Sequence, residues 1–221
     1  MPILVPTTQA LYQYTVRDIV TEAMQTAGAL PIGETPPAED AEYVRVTLRR
    51  LLKRWQASEH FEWKEEVVSL APVIGAAQTM IPRRPVRIRS VNLRQNGTDL
   101  PMQPIGRGEY DMLPNKAATG TPTMYFYDRK REDAVLYVWP AFASTTGKTL
   151  EITMEQEISD CADLNDIVDL PGEWWDAAVQ ALAVQIAKHF SLPFDPTDAA
   201  LAFDAALSGQ QHESLWFGEA T

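Results

Sequence analysis

The sequence predicts an α+β fold, an antiparallel helical bundle formed by N- and C-terminal helices with a central antiparallel β-rich insert. Apolar residues recur at helical spacing before residue 60 and again after residue 172. Between those stretches, short apolar runs are broken by Pro and Gly, which is the punctuation of strands. A helix pair alone would leave its apolar stripes wet, so the two terminal pairs are expected to close on one another. The boundaries that follow are an extended leader at 1–14, a discontinuous bundle at 15–60 and 165–208, an insert at 61–164 and a tail at 209–221.

Each element has a local reason. Thr15-Val-Arg-Asp18 is a capping box in form, and Val16, Ile19, Val20, Ala23, Met24 and Ala27 continue it as an apolar stripe towards Gly28. A second helix is expected over about 38–57. It opens with Glu39, Asp40 and Glu42, closes with Lys53 and Arg54, and buries Val44, Leu48, Leu51, Leu52 and Trp55. In the insert, Val67 to Leu70 and Gln78 to Ile81 are candidates to pair. Asn96-Gly97 marks a tight hairpin between a strand from Val86 to Gln95 and its return. Within that first strand Val86 and Ile88 share one face, whereas Val91 and Leu93 fall on the other, so a bulge or sharp twist is expected near Ser90. Pro122 to Tyr127, Ala134 to Trp139 and Thr149 to Met154 supply three more strands rich in β-branched and aromatic residues.

Helix returns after Pro171, with Glu173 and Asp176 in an acidic first turn, and runs to about Phe190. Trp174 and Trp175 are adjacent in that turn and point about 100° apart, too far for one narrow stripe. One of them is expected at the junction of bundle and insert. Asp195 or Thr197 caps a last short helix over 198–207, after which no helical signal is expected.

Length and composition exclude whole classes of function. The chain has 221 residues, 45% apolar and 22% charged, which are the proportions of a globular protein. No apolar run approaches the roughly 20 residues that cross a bilayer, and no secretory signal is visible, so no membrane partner is expected. The single cysteine, Cys161, leaves no internal disulfide and fits a reducing compartment. The net charge of −11 is unevenly placed: residues 1–150 carry 18 Lys+Arg against 16 Asp+Glu, residues 151–221 carry 1 against 14. So acidic a third disfavours tight wrapping of nucleic acid, which draws on phosphate neutralisation, but not a protein that DNA merely passes.

Motifs that carry chemistry are lacking. His60, His189 and His212 are too far apart for a local metal motif, and Cys161 sits in an acidic stretch that discourages a thiolate. Gly106-Arg-Gly108 lacks the Gly-Lys-Ser/Thr ending of a phosphate loop and any helix after it. No catalytic residue, metal or cofactor is expected, and the chain is read as a non-enzyme.

Two features point to assembly instead. Arg45, Arg49 and Lys53 fall at i, i+4 and i+8 of the second helix. They read either as a solvated face, as inter-subunit charge against the acidic third of a neighbouring copy, or as channel charge. The strand arginines Arg83, Arg84, Arg87, Arg89 and Arg94 form a second basic group. Leu215-Trp216-Phe217 stands in a polar terminus and either folds back or docks into another protein; docking is favoured, since Trp and Phe are common interface anchors.

The order of signals resembles a family. It runs Leu51-Leu-Lys-Arg-Trp55, Arg87-Ile-Arg-Ser-Val91 with Asn96-Gly97, Gly120-Thr-Pro-Thr-Met-Tyr125, Leu136-Tyr-Val-Trp-Pro140, and Asp169-Leu-Pro-Gly-Glu-Trp174 opening an alanine-rich helix. This is similar to the head-to-tail connector adaptors of tailed bacteriophages, also called tail tubular or packaged-DNA-stabilising neck proteins, over roughly 15–192. The resemblance implies a structural subunit of a ring, usually of 12 copies, made in the host cytoplasm and placed in the virion neck. Such a ring joins the portal to the tail or nozzle, continues the DNA channel, helps retain packaged DNA and passes it at ejection without sequence-specific binding. It also implies that Leu215, Trp216 and Phe217 dock on the portal. The alternatives are another neck or tail-tube protein, or a β-rich module binding a ligand or carbohydrate through exposed Tyr125, Tyr127, Tyr137 and Trp139.

Overall fold

The computed structural model describes residues 13–57, 64–81, 83–130 and 134–215, with side chains as far as Ser208. The chain divides into two units. One combines Met1–His60 with Ile158–Thr221 and is helical; the other, Phe61–Glu157, is built of strands. In chain order come α1 (Val16–Thr26), α2 (Ala38–Gln56), β1 (Glu65–Leu70), β2 (Gln78–Met80), β3 (Arg87–Gln95), β4 (Thr98–Pro101) and β5 (Gln103–Pro104). Then follow α3 (Arg107–Asp111), β6 (Thr119–Gly120), β7 (Met124–Arg129), β8 (Ala134–Trp139), β9 (Ala141–Phe142), β10 (Lys148–Glu155), α4 (Trp175–Phe190) and α5 (Thr197–Leu215).

In the helical unit, local chemistry sets the boundaries. The Thr15 hydroxyl accepts from the Asp18 amide at 3.3 Å and the Asp18 carboxylate accepts from the Thr15 amide at 2.8 Å, closing the capping box that starts α1. Gly28, at φ +71°, ends it in the left-handed conformation that glycine adopts without cost. The apolar stripes of α1 and α2 are buried as their spacing requires, from Val16 to Met24 and from Val44 to Trp55. A short 3-10 turn at Gly172–Trp174 leads into α4, which buries Ala177, Ala178, Val179, Leu182, Ala183, Ile186 and Ala187. Helix α5 starts where Asp195 accepts from the Thr197 amide and hydroxyl, at 2.9 and 2.6 Å. It runs on to Leu215 rather than stopping at 207. The polar stretch after Gly209 is rich in Gln and Glu, which sustain a helix, and one glycine costs only about 1 kcal/mol.

The predicted antiparallel bundle of N- and C-terminal helices with a β insert is corrected by the structure. Mixed α and β content is present, but the described residues are dominated by ten strands in three sheets, against few helices. A bundle needs helices of matched length, each giving one stripe to a shared seam. Here α1 is 11 residues long, α4 is apolar on several sides, and α5 has no one-sided stripe, with Leu201 61% exposed and Ala206 alone buried among its described side chains.

The β unit places two four-stranded sheets about one core. Their orders are β1-β10-β3-β4, antiparallel throughout, and β2-β8-β7-β5, in which β5 and β7 run parallel; β6 and β9 form a small parallel pair. Val91, Leu93, Leu150, Ile152 and Met154 of the first sheet share a buried cluster with Tyr125, Ala134, Leu136 and Val138 of the second. Each fully buried aliphatic side chain there is worth about 1.5–3 kcal/mol. Val67 to Leu70 and Gln78 to Ile81 do not pair with each other: β1 pairs with β10 and β2 with β8. The residues between them, 71–77 with Pro72 and Gly75, are too many for a tight turn and carry the chain from one sheet to the other. The hairpin at Asn96-Gly97 forms, both residues at positive φ (51° and 83°) as its turn type demands. The phase change in β3 is a register shift: Thr153 faces Ser90 while Met154 faces Ile88. Arg89 is the extra residue, and skipping it turns Ile88 and Val91 to the same face.

Candidate interaction surfaces

The basic row on α2 is matched inside its own unit. Arg45 forks onto Glu42 through Nε and Nη2, at 2.8 and 2.6 Å, and its Nη1 donates to the Cys161 carbonyl. Arg49 meets Asp160 at 2.6 Å, and Lys53 donates to the Ile158 carbonyl at 3.1 Å. The four-residue steps along the helix, about 6 Å each, thus run beside an extended stretch of chain at 158–161. Mutual hydrogen bonding lowers the Glu42 carboxyl and raises the Arg45 guanidinium relative to their ordinary values. Arg49 and Asp160 remain about half exposed, so that pair adds little stability by itself. Arg50 and Arg54 lie exposed beside the row.

Four of the five strand arginines also have partners, while Arg83 is exposed. Arg84 donates to the Lys130 carbonyl at 2.7 Å, Arg87 meets Glu155 at 3.0 Å, and Arg89 bridges Glu65 and Glu155 at 3.0 and 3.4 Å. Arg94 pairs with Asp99 at 2.7 Å and approaches Glu151 at 3.5 Å. Two positive charges on fully buried Glu155 are the compensation that a buried carboxylate requires. This basic group braces the outer strands rather than forming an open positive face.

Cys161 is 2% exposed, and burial, followed by the carboxylates of Asp160 and Asp166, pushes its thiol up to about 11. Reagents that need a thiolate are therefore expected to label it slowly at pH 8 in the folded chain and quickly after denaturation, as mass spectrometry would read out. Fast labelling of the native protein would contradict this burial. No group of three or more His, Cys, Asp or Glu is placed to hold a metal among the described residues. His189 instead stacks on Tyr43 at 3.9 Å; His60 lies outside the described residues. A short helix, α3, does follow Gly106, contrary to expectation, but the Glu109 carboxylate takes up the Gly106 amide at 2.7 Å. A negative side chain thus stands where a phosphate loop would offer its donors.

The four rings that would make a carbohydrate platform are engaged. Tyr125 is 5% exposed and part of the core, and the Tyr127 hydroxyl donates to the Pro85 carbonyl at 2.9 Å. Tyr137 packs on Tyr110 and Phe126 at 5.1 and 5.8 Å, and the Trp139 indole donates to the Asn115 carbonyl at 2.9 Å. Desolvation raises the Tyr125 and Tyr127 phenols, as expected of rings turned inward.

The model of the SU10 adaptor protein family matches residues 14–218. The chain belongs to that family. No curated protein gave a significant match. Family membership makes the chain a structural adaptor of a bacteriophage and assigns it to the virion. The family's extent also passes the limit of about 192 suggested by the quoted motifs, and takes in all of α5.

Within the SU10 adaptor fold the adjacent tryptophans have separate duties. Trp174 is fully buried against Trp55 and Phe203, with ring centroids 5.6 and 5.5 Å away. Trp175 stacks on Tyr14 at 3.7 Å and donates to Glu22 at 2.8 Å, next to the point where the family match begins. These partners all lie in the helical unit, which differs from the junction role expected for one of the pair. Leu215 closes α5, while its side chain, Trp216 and Phe217 lie outside the described residues. No described helix is long and apolar enough to cross a membrane.

Proposed function

We propose that the chain is the ring-forming subunit of a head-to-tail connector, joining the portal to the next tail or nozzle protein and continuing the DNA channel. The observation that carries this reading is the family match across residues 14–218. In the proposed ring, of about 12 copies on the resemblance to tail tubular adaptors, the subunit helps retain packaged DNA and passes it at ejection.

Charge supports the reading. The helical unit holds 7 Lys+Arg against 18 Asp+Glu, while the strand unit holds 12 of each, so the whole net charge of −11 belongs to the helical unit. An acidic wall repels the phosphate backbone and lets a duplex slide where a basic one would grip it. Arg49, half exposed beside Asp160, together with Arg50 and Arg54, supplies the positive side of a contact between copies. Arg45 and Lys53 hold the 158–161 segment that bears the facing carboxylate of Asp160. Leu215, Trp216 and Phe217, carried at the end of α5, are the proposed portal anchors. Head-to-tail contacts of this kind close into rings.

Co-sedimentation with purified portal tests the proposal. The account expects the chain to travel with portal as a multimer, less so at high salt because charge steers the contact. A chain that stays monomeric and never moves with portal would overturn it.

A further inference from the structure

The strand unit exposes several apolar side chains near two of its sheet edges. Val67 on β1, Val73 and Ile74 in the connection, and Met80 on β2 are 62, 64, 65 and 60% exposed. Strands β1 and β2 are also the outermost members of their two sheets, so each presents a row of backbone donors and acceptors on its free side. Natural edges are blunted by charge or proline. The opposite edge obeys that rule, since β4 and β5 contain Pro101 and Pro104. At the other end of each sheet neither strand contains proline; β1 carries Glu65 and Glu66, whereas β2 has no charge, and none occurs from Val67 to Ile81.

A segment of matching chemistry exists in the same chain. Residues 1–12 lie outside the described part, and no charged side chain occurs before Arg17. Within them Ile3-Leu4-Val5 is an apolar, β-branched tripeptide bounded by Pro2 and Pro6. A residue that precedes proline favours the extended region, and the two prolines limit pairing to three residues, the length of β2. The seven residues between Val5 and Gln13 can span at most roughly 25 Å, a reach suited to an adjacent molecule.

We propose that Ile3-Leu4-Val5 of one copy adds as a strand to the β2 edge of a neighbouring copy and packs beside the exposed Met80 of that strand. The exchange is heterologous: each copy gives its leader to the next and receives one, so the contact closes only in a ring. It rests on the ring reading given above. Main-chain hydrogen bonds to β2 would supply affinity, and the uncharged, apolar match would supply specificity.

Cysteine pairing in the full chain with portal present tests this. Leu4→Cys is combined in turn with Gln78→Cys, Thr79→Cys and Met80→Cys, so that a shifted register is not missed. The work is done once with Cys161→Ala and once with native Cys161, whose burial keeps it out of the reaction if the first background folds poorly. After mild oxidation at least one pairing is expected to give a ladder of covalent multimers on a non-reducing gel, while each single cysteine stays monomeric. A link confined to monomers means that the leader covers its own edge and overturns the exchange. Rings that form with no link in any pairing overturn the exchange but leave the ring reading intact. Absence of rings in the unmodified protein overturns both.

Discussion

Trp174→Ala is expected to destabilise the helical unit by about 3–5 kcal/mol, the usual cost of emptying a buried aromatic site. The ring is completely buried where α2, the turn before α4, and α5 converge on it through Trp55 and Phe203. Removing it leaves a cavity among three elements that are too rigidly held to collapse into the space. Trp175→Ala, one residue away, removes only a stacked, partly exposed ring and its bond to Glu22, and is expected to cost well under half as much. Chemical denaturation followed by helical circular dichroism reads both variants. Equal losses for the two would refute the division of labour between the adjacent rings.

Deleting residues 214–221 is expected to abolish portal attachment, a drop of at least a hundredfold in affinity, while the fold stays intact. Interface energy concentrates in a few aromatic anchors, each worth 2 kcal/mol or more, and the deleted stretch holds Trp216 and Phe217 with Leu215 beside them. The fold is expected to survive because the last buried residue of α5 among the described side chains is Ala206, eight positions before the cut. Replacing only Trp216 and Phe217 by alanine should reproduce most of the loss. Unchanged portal binding by either variant would remove the tail from the account.

Residues that carry their own local explanation were legible in the sequence. Thr15 and Asp18, Gly28, Asn96-Gly97 and the apolar stripes of α1 and α2 appear where pattern and stereochemistry require. The bulge at Arg89 was legible for the same reason: a strand whose apolar phase flips must skip a residue to keep one face in the core. Long-range choices were not. Strand β1 pairs with β10, some eighty residues later, and nothing within Glu65 to Leu70 specifies that partner over β2. The bundle expected from the terminal helices failed because periodicity reports a buried stripe but not what buries it. Helix α4 is apolar on several sides and α5 on none in particular, and a shared seam needs one stripe from each. The α2 basic row was visible, but apart from Glu42 its partners were two carbonyls and one carboxylate at 158–161, and backbone acceptors leave no trace in a sequence. Helix α3 and the far half of α5 were missed because five residues are too few to show a period, and because Gly209 reads as a stop that a helix can pass through.

Imaging the protein mixed with portal by electron microscopy tests the central claim most directly, because symmetry and partner are read from one specimen. The account predicts a closed ring of this chain seated coaxially on the portal, with its acidic helical unit lining the channel. Portal particles without added density, beside free monomers of this chain, would contradict it.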